Sequence, residues 1–477
     1  MNNNFLKYTL LAASIFTASS CKKYLDLTPK GEMVVEKTED FYNMVSYPNR
    51  AYPINNFQYL SDDQWIRESY VIGVNKSMDI INFTFDSTES RVNYMTSSTL
   101  YNRTYEYINR WNMIVSLVDN SKGDDNMKAL AKAEARVLRA YDHFILLNSF
   151  AKHYNKATAA TDGGICMMDK YDLEAQPSKA SVEQVYQFIE KDLDESIPFL
   201  QKTPKDVYHP SLVFAYAFKA KVHLFKKEWD KAKAAAQQAL ALNSEVFDLV
   251  TYTTQGGPSK VLIPAGVNPE NLSYHYMTGR NELNFGYTCI ISPELVQLFG
   301  KNDARYNLFF NATNASFLDI GSGTAYWNVK FTNFFYPTVG LKTPEVHLML
   351  AECLAREGNL QGAMDIVNML RSKRITNATE AKLEVPGTKE DVVRIIIAER
   401  RKELLFGFNR FWDLRRFNTE PEYAKTIVRK FPLVRTTVPQ QTYTLPPNSK
   451  LYILPFAQDV LKKNLTLTVN SGESVPW

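Results

Sequence analysis

Apolar residues recur at three- and four-residue intervals in several long segments, the period that lines them along one face of an α-helix. From Leu100 to Val118 the stripe runs Leu100, Tyr107, Ile108, Trp111, Ile114, Val115 and Val118. From Met127 to Asn148 it runs Met127, Leu130, Ala131, Val137, Leu138, Tyr141, Phe144 and Ile145. A third stripe, Val182, Val185, Tyr186, Ile189 and Leu193, follows Ser181. Ser181 with Gln184 has the spacing of a capping box, in which each side chain accepts the other's backbone N–H. A last stripe between Lys389 and Phe406 carries Val392, Val393, Ile396, Ile397, Leu404 and Leu405 around the charge run Glu399–Glu403. Such a run is expected on a solvated or ion-paired face.

Two more segments predict helical hairpins. Leu212 to Phe225 is followed by Lys226-Lys227-Glu228 and then Trp229 to Leu242; Pro344 to Ala355 is followed by Arg356-Glu357-Gly358-Asn359 and then Leu360 to Arg371. They align without gaps, so that Ala220 matches Ala351, Trp229 matches Leu360, and Ala232 matches Ala363. Small residues at matched places let paired helices approach, as in a tetratricopeptide unit. Between the hairpins, residues 243–337 are rich in Gly, Asn, Thr, Tyr and Phe and lack helical period, which predicts long ordered loops with a few short elements. Residues 49–99 have a similar, weaker texture. The pattern predicts an all-α chain of tetratricopeptide-like helix pairs with a loop-rich region, divided into an N-terminal part over 21–240 and a C-terminal part over 241–477.

Composition narrows the class. With 477 residues, 45% hydrophobic, the chain can build a large core. The 55 basic and 51 acidic residues leave a net charge of +4, too little for a strong nucleic-acid field. The first 20 residues read as a signal peptide: Lys7, then an apolar run from Tyr8 to Ala18 that is too short to cross a bilayer as a helix. The run ends in Thr17-Ala18-Ser19-Ser20-Cys21, which resembles a bacterial lipobox and makes Cys21 the expected lipidated N-terminus. Several acyl chains would anchor it firmly where one would not. The remaining cysteines, Cys166, Cys289 and Cys353, are odd in number and form no Cys-x-x-Cys, which argues against a disulfide framework or a zinc ribbon. Cys353, in a helical pattern, reads as a buried thiol.

Catalytic patterns are scarce. The six histidines show no metal spacing, and no nucleophile elbow, phosphate loop or dinucleotide fingerprint is present. The adjacent carboxylates Asp62-Asp63 and Asp124-Asp125 read as ordinary loop acids rather than a glycosidase pair. No metal or cofactor is expected.

Several motifs resemble those of the SusD/RagB family of nutrient-capture lipoproteins. Cys21-Lys22-Lys23-Tyr24-Leu25-Asp26 with Pro29 resembles the family's start, and Thr38-Glu39-Asp40-Phe41 followed by Ala51-Tyr52 its first helix. Arg139-Ala140-Tyr141 with Gly163-Gly164-Ile165, Asn302-Asp303-Ala304-Arg305 and Leu350-Ala351-Glu352 resemble further elements. The most specific match is Ala398-Glu399-Arg400-Arg401-Lys402-Glu403-Leu404, then Arg410 and Trp412-Asp413-Leu414-Arg415-Arg416. Leu454-Pro455 with Asn464 resembles the C-terminal element. Ala304 stands where the family usually has Pro, Leu465 where Pro is expected after Asn464, and the ending Pro476-Trp477 departs from the usual one. The signature residues Glu399, Arg400, Glu403, Arg410, Asp413 and Arg416 read as structural, since guanidinium and carboxylate groups can pair in planar, bidentate fashion.

The resemblance implies a surface-exposed, lipid-anchored protein of the bacterial outer membrane. It would capture oligosaccharides, or peptides, for a partner SusC-like TonB-dependent transporter, and would perform no chemistry. A tetratricopeptide-type assembly scaffold and a surface glycan hydrolase are the alternatives. For a sugar ligand, aromatic loop residues would stack on C–H faces and polar ones bond hydroxyls. The candidates are Trp65, Tyr70, Tyr326 and Trp327, with Asp62 and Arg67 as polar partners.

Overall fold

The computed structural model describes residues 35–477, except 49, 54, 67, 74, 75, 173, 265, 279–289, 312–324, 328–337, 406 and 434–437. Cys21 and its leader therefore lie outside the described residues. Helices of eight residues or more are α1 (Thr38–Val45), α2 (Thr99–Leu117), α3 (Asp125–Phe150), α4 (Val182–Ser196), α5 (Leu212–Phe225), α6 (Trp229–Leu242), α7 (Thr343–Arg356), α8 (Leu360–Ser372), α9 (Lys389–Glu403) and α10 (Asn409–Phe417). The strands are short: β1 (Ala51–Pro53), β2 (Gln64–Trp65), β3 (Gly163–Cys166), β4 (Lys179–Ser181), β5 (Tyr276–Thr278), β6 (Ile290–Ile291), β7 (Phe310–Asn311), β8 (Ala325–Trp327), β9 (Ile427–Phe431) and β10 (Gln441–Leu445). The chain is mostly helical, as its periodicity predicts.

Successive helices pack side by side, α2 on α3, α3 on α4, α5 on α6, α6 on α7 and α7 on α8, with α9 closing against α7 and α8. Alanine makes this possible. Ala232, Ala235, Ala236 and Ala239 form a buried stripe along α6 at helical spacing, so α5 and α7 can both come close to it. The capping box is present: the Ser181 hydroxyl accepts from Gln184 N–H at 3.2 Å, and Gln184 Oε1 accepts from Ser181 N–H at 2.8 Å.

The two hairpins share their turn geometry as well as their alanines. Lys227 and Gly358 occupy matched positions, and both are left-handed, at φ 60° and 90°. In each turn the next residue closes the helix end, Glu228 N–H on His223 C=O and Asn359 N–H on Leu354 C=O, both at 2.9 Å. The matched alanines Ala220, Ala351, Ala232 and Ala363 are all fully buried.

The main core draws on both sides of position 240. Phe144 of α3 meets Trp412 of α10 edge-to-face at 5.4 Å, and Trp412 stacks on Phe408 at 4.8 Å. A second core lies between α7, α8 and α9, around Leu348, Val367 and Ile396. Among the described residues no helix is long and apolar enough to cross a membrane. Cys166 and Cys353 are free and buried, and burial pushes both thiols up.

Candidate ligand face and the charged hub behind it

The two loop regions singled out in the sequence meet in one small sheet, ordered β2-β6-β8-β7 and antiparallel throughout. Its register aligns Trp65 with Ile290 and Ile290 with Tyr326, while Trp327 pairs with Phe310. Trp65 and Tyr326 thus share one cross-strand rank, two strand spacings or about 10 Å apart. Ser292 fastens the rank from below. Its hydroxyl donates to the Asp62 carbonyl at 2.6 Å, and its N–H donates to the Asp63 carbonyl at 2.9 Å.

Beside this sheet is a cleft of about 330 Å³ lined by Asp62, Trp65, Pro293, Glu294 and Arg429 among others. Trp65 is only 8% exposed. Its indole meets Phe83 edge-to-face at 5.6 Å and lies near Phe431, so much of the ring serves local packing while part of it lines the cleft. Arg429 lies near it with no carboxylate in ion-pairing range among the described residues. It donates to the carbonyls of Tyr59, Ser61 and Phe83 and lies 5.5 Å from the Trp65 ring. Burial pulls its pKa down to about 9. The strand β9 alternates, with Ile427, Arg429 and Phe431 inward. A charged residue at an inward position was the one signal by which the sequence could have marked Arg429.

Asp62, a polar candidate, lines the cleft with its carboxylate already engaged by the protein. Its carboxylate is buried and bound by Arg410 on both oxygens, at 2.6 and 2.7 Å, with Lys425 at 2.6 Å. Burial alone would raise its pKa; Arg410, then Arg401 and Lys425, hold it well below the usual carboxylate range. Asp63 pairs with Arg401, yet burial keeps its pKa raised. Arg401 also reaches Glu294 at 2.6 Å. Arg67 lies outside the described residues. Tyr70 falls in the short helix Glu68–Gly73, and Tyr326 and Trp327 in β8, with only their backbones described.

The charge run on α9 is ion-paired, but buried rather than solvated. Arg400 grips Asp413 in bidentate fashion, at 2.8 and 3.2 Å, and Arg416 grips Glu352 at 2.6 and 3.0 Å. Glu399 and Glu403 turn instead to Arg305, at 3.2 and 3.0 Å, and Glu403 also to Arg374 at 2.8 Å. Burial would raise these carboxylates, but the neighbouring cations bring Glu399, Glu403 and Asp413 down to about 2. Motifs that are separate in the chain thus meet in three buried ion-pair clusters, one around Glu399 and Glu403, one around Asp413 and Glu352, and one in which Arg410 and Arg401 reach the loop before Trp65.

The acid pairs are accounted for structurally. Asp124 caps α3, accepting from Met127 N–H at 2.8 Å, and Asp125 pairs with Lys128. One group among the described residues, Glu190, His223 and Glu228, has metal-ligand composition and proximity. Lys226 already supplies a cation there, lying 3.6 Å from Glu228 and bonded to Glu190. A metal would have to displace that ammonium.

The architecture is thus one of packed helix pairs carrying a small aromatic-bearing sheet on an ion-paired base. Comparison with known proteins gives its family. A family described as starch-binding and associating with the outer membrane matches residues 23–224, and the SusD family matches residues 287–472. The SusD-like protein P38 of Formosa agariphila is 22% identical over 495 residues, covering 87% of this chain and 91% of its own. A SusD superfamily protein of Bacteroides thetaiotaomicron superposes with a TM-score of 0.68 at 19% identity, covering 91% of this chain and 98% of its own. A SusD-like carbohydrate binding protein of Bacteroides vulgatus gives 0.64 at 17% identity, covering 91% and 97%. The chain belongs to the SusD/RagB family.

Proposed function

We propose that this protein is a surface lipoprotein that captures oligosaccharide, or less favourably peptide, nutrients and passes them to a SusC-like TonB-dependent transporter without altering them. The observation that carries the reading is the shared rank of Trp65 and Tyr326 beside an open cleft. Aromatic groups in one rank suit the apolar faces of successive sugar rings, and the fixed backbone below them limits the ordering cost of binding. Tyr326, in the Trp65 rank, is the foremost contact, with Trp65 beside it and Trp327, Tyr70 and Arg67 as further candidates. The carbohydrate-binding name of a Bacteroides vulgatus relative favours sugar over peptide.

Cys21 is the proposed lipid attachment site at the outer membrane. Two experiments test the reading. The purified protein, incubated with a polysaccharide panel, should bind one member and release no reducing ends; steady release would make it a hydrolase. Cys21→Ser should leave the membrane fraction and fail to incorporate labelled palmitate; unchanged membrane retention would remove the anchor.

A further inference from the structure

A second opening, on the outer face of α2, encloses about 350 Å³ and shares no lining residue with the cleft beside Trp65. It is built by α2, the segment following β3, and the short helix Gln458–Lys463. Its floor is Tyr101 and Tyr105, four residues apart on one helix face, their ring centroids 4.6 Å apart and tilted by 49°. The Tyr105 hydroxyl donates to the Cys166 carbonyl at 2.6 Å, so its polar end is engaged inside the protein and ring carbon is left to meet a ligand.

The rim is polar. Glu106 and Asn109 come from the next turn of α2, with Asp172 and Lys463 also at the edge. Glu106, Asp172 and Lys463 form no ion pair among the described residues. Asn109 Oδ1 is buried without a hydrogen-bond partner among them.

We propose that this opening is a second carbohydrate-binding cleft, which takes a pyranose ring of the same polymer that the first face holds. A pyranose presents an apolar C–H face for the tyrosines and a rim of hydroxyls that both donate and accept. Carboxylates, an amide and an ammonium around an apolar floor match both parts of it. An acyl chain or an aliphatic peptide side chain would fill the floor and leave the charged rim unused. The proposal rests on the glycan reading above and adds a separate place of contact. Two such clefts on one chain of sugar raise avidity beyond either alone.

The test is affinity electrophoresis of the full chain through gels containing soluble starch, laminarin, xylan or alginate. One polymer should retard the wild type. The double variant Glu106→Ala/Asn109→Ala should bind that polymer about tenfold more weakly, with an unchanged melting temperature. Asp172→Asn, a gentler change, should weaken it in the same direction. A wild type retarded as strongly as both variants overturns the second cleft and leaves the proposed function standing. A wild type retarded by none of the four polymers overturns both. Stabilisation by casein peptides that is lost in the Glu106→Ala/Asn109→Ala variant would make the occupant a peptide and overturn the sugar assignment.

Discussion

Arg410 holds Asp62 across 348 residues of chain, Nε donating to Oδ1 at 2.6 Å and Nη2 to Oδ2 at 2.7 Å. The signature segment near the C-terminus therefore fixes the loop that leads into Trp65. Removing one member of a buried pair strands the other charge, which costs about 3–5 kcal/mol. Asp62→Asn should lose that much stability in urea unfolding, Arg410→Ala less because Asp62 keeps Lys425 and Arg401, and the double variant less than their sum. A loss under about 1 kcal/mol for Asp62→Asn would show an exposed ion pair instead.

The matched turns make a second prediction. A Cβ at Gly358 would meet nothing within 4 Å, so only its left-handed backbone opposes a side chain there. Gly358→Ala should cost about 1–2 kcal/mol. Lys227 already bears that strain at φ 60°. Lys227→Gly should therefore stay within about 1 kcal/mol of wild type, since relief of strain offsets unfolded-state entropy and a weak bridge to Glu420. Equal losses from the two substitutions would break the analogy between the turns.

Acid should unfold the protein in a defined window. Glu399, Glu403 and Asp413 sit at about 2 in the folded chain, against ordinary values of 4.5 for Glu and 3.8 for Asp. Their contribution is present above the ordinary values and is lost as pH falls toward 2. Asp79, raised to about 6 by burial, acts the opposite way and gains stability on acidification between 6 and about 4. The melting temperature should begin to fall below about pH 6.5, because buried neutral histidines such as His143, held at about 3, and His153 and His275 resist protonation, and should drop more steeply below about pH 4.5. A melting temperature still at its neutral value at pH 3 would show that the hub carboxylates are not ion-paired.

Local features were legible in the sequence, and distant pairings were not. The stripe on α2, the Ser181 capping box and the matched hairpins all depend on residues within one or two turns, so periodicity exposes them. The burial of Glu399–Lys402 is different, because its partners lie on other segments: Arg305, Arg371 and Asp413. A charge run with no visible partner reads as solvated. Trp65 and Tyr326 were marked by loop texture, but their strands are two and three residues long, too short for a period to reveal that they align. The same loop texture marks Asp62 as a polar candidate without revealing its partner Arg410, which lies far away in the chain.

The central claim is that the sheet carrying Trp65 and Tyr326 holds a sugar chain. The direct measurement is calorimetric titration of the retained polysaccharide's oligomers into wild type, Tyr326→Ala and Trp327→Ala. Stacking on an aromatic ring contributes about 0.5–1.5 kcal/mol, so Tyr326→Ala should bind roughly threefold to tenfold more weakly while melting at the wild-type temperature, and Trp327→Ala, at the alternate position of the strand, should bind as wild type does. Undiminished affinity in Tyr326→Ala would place the ligand elsewhere and contradict the account.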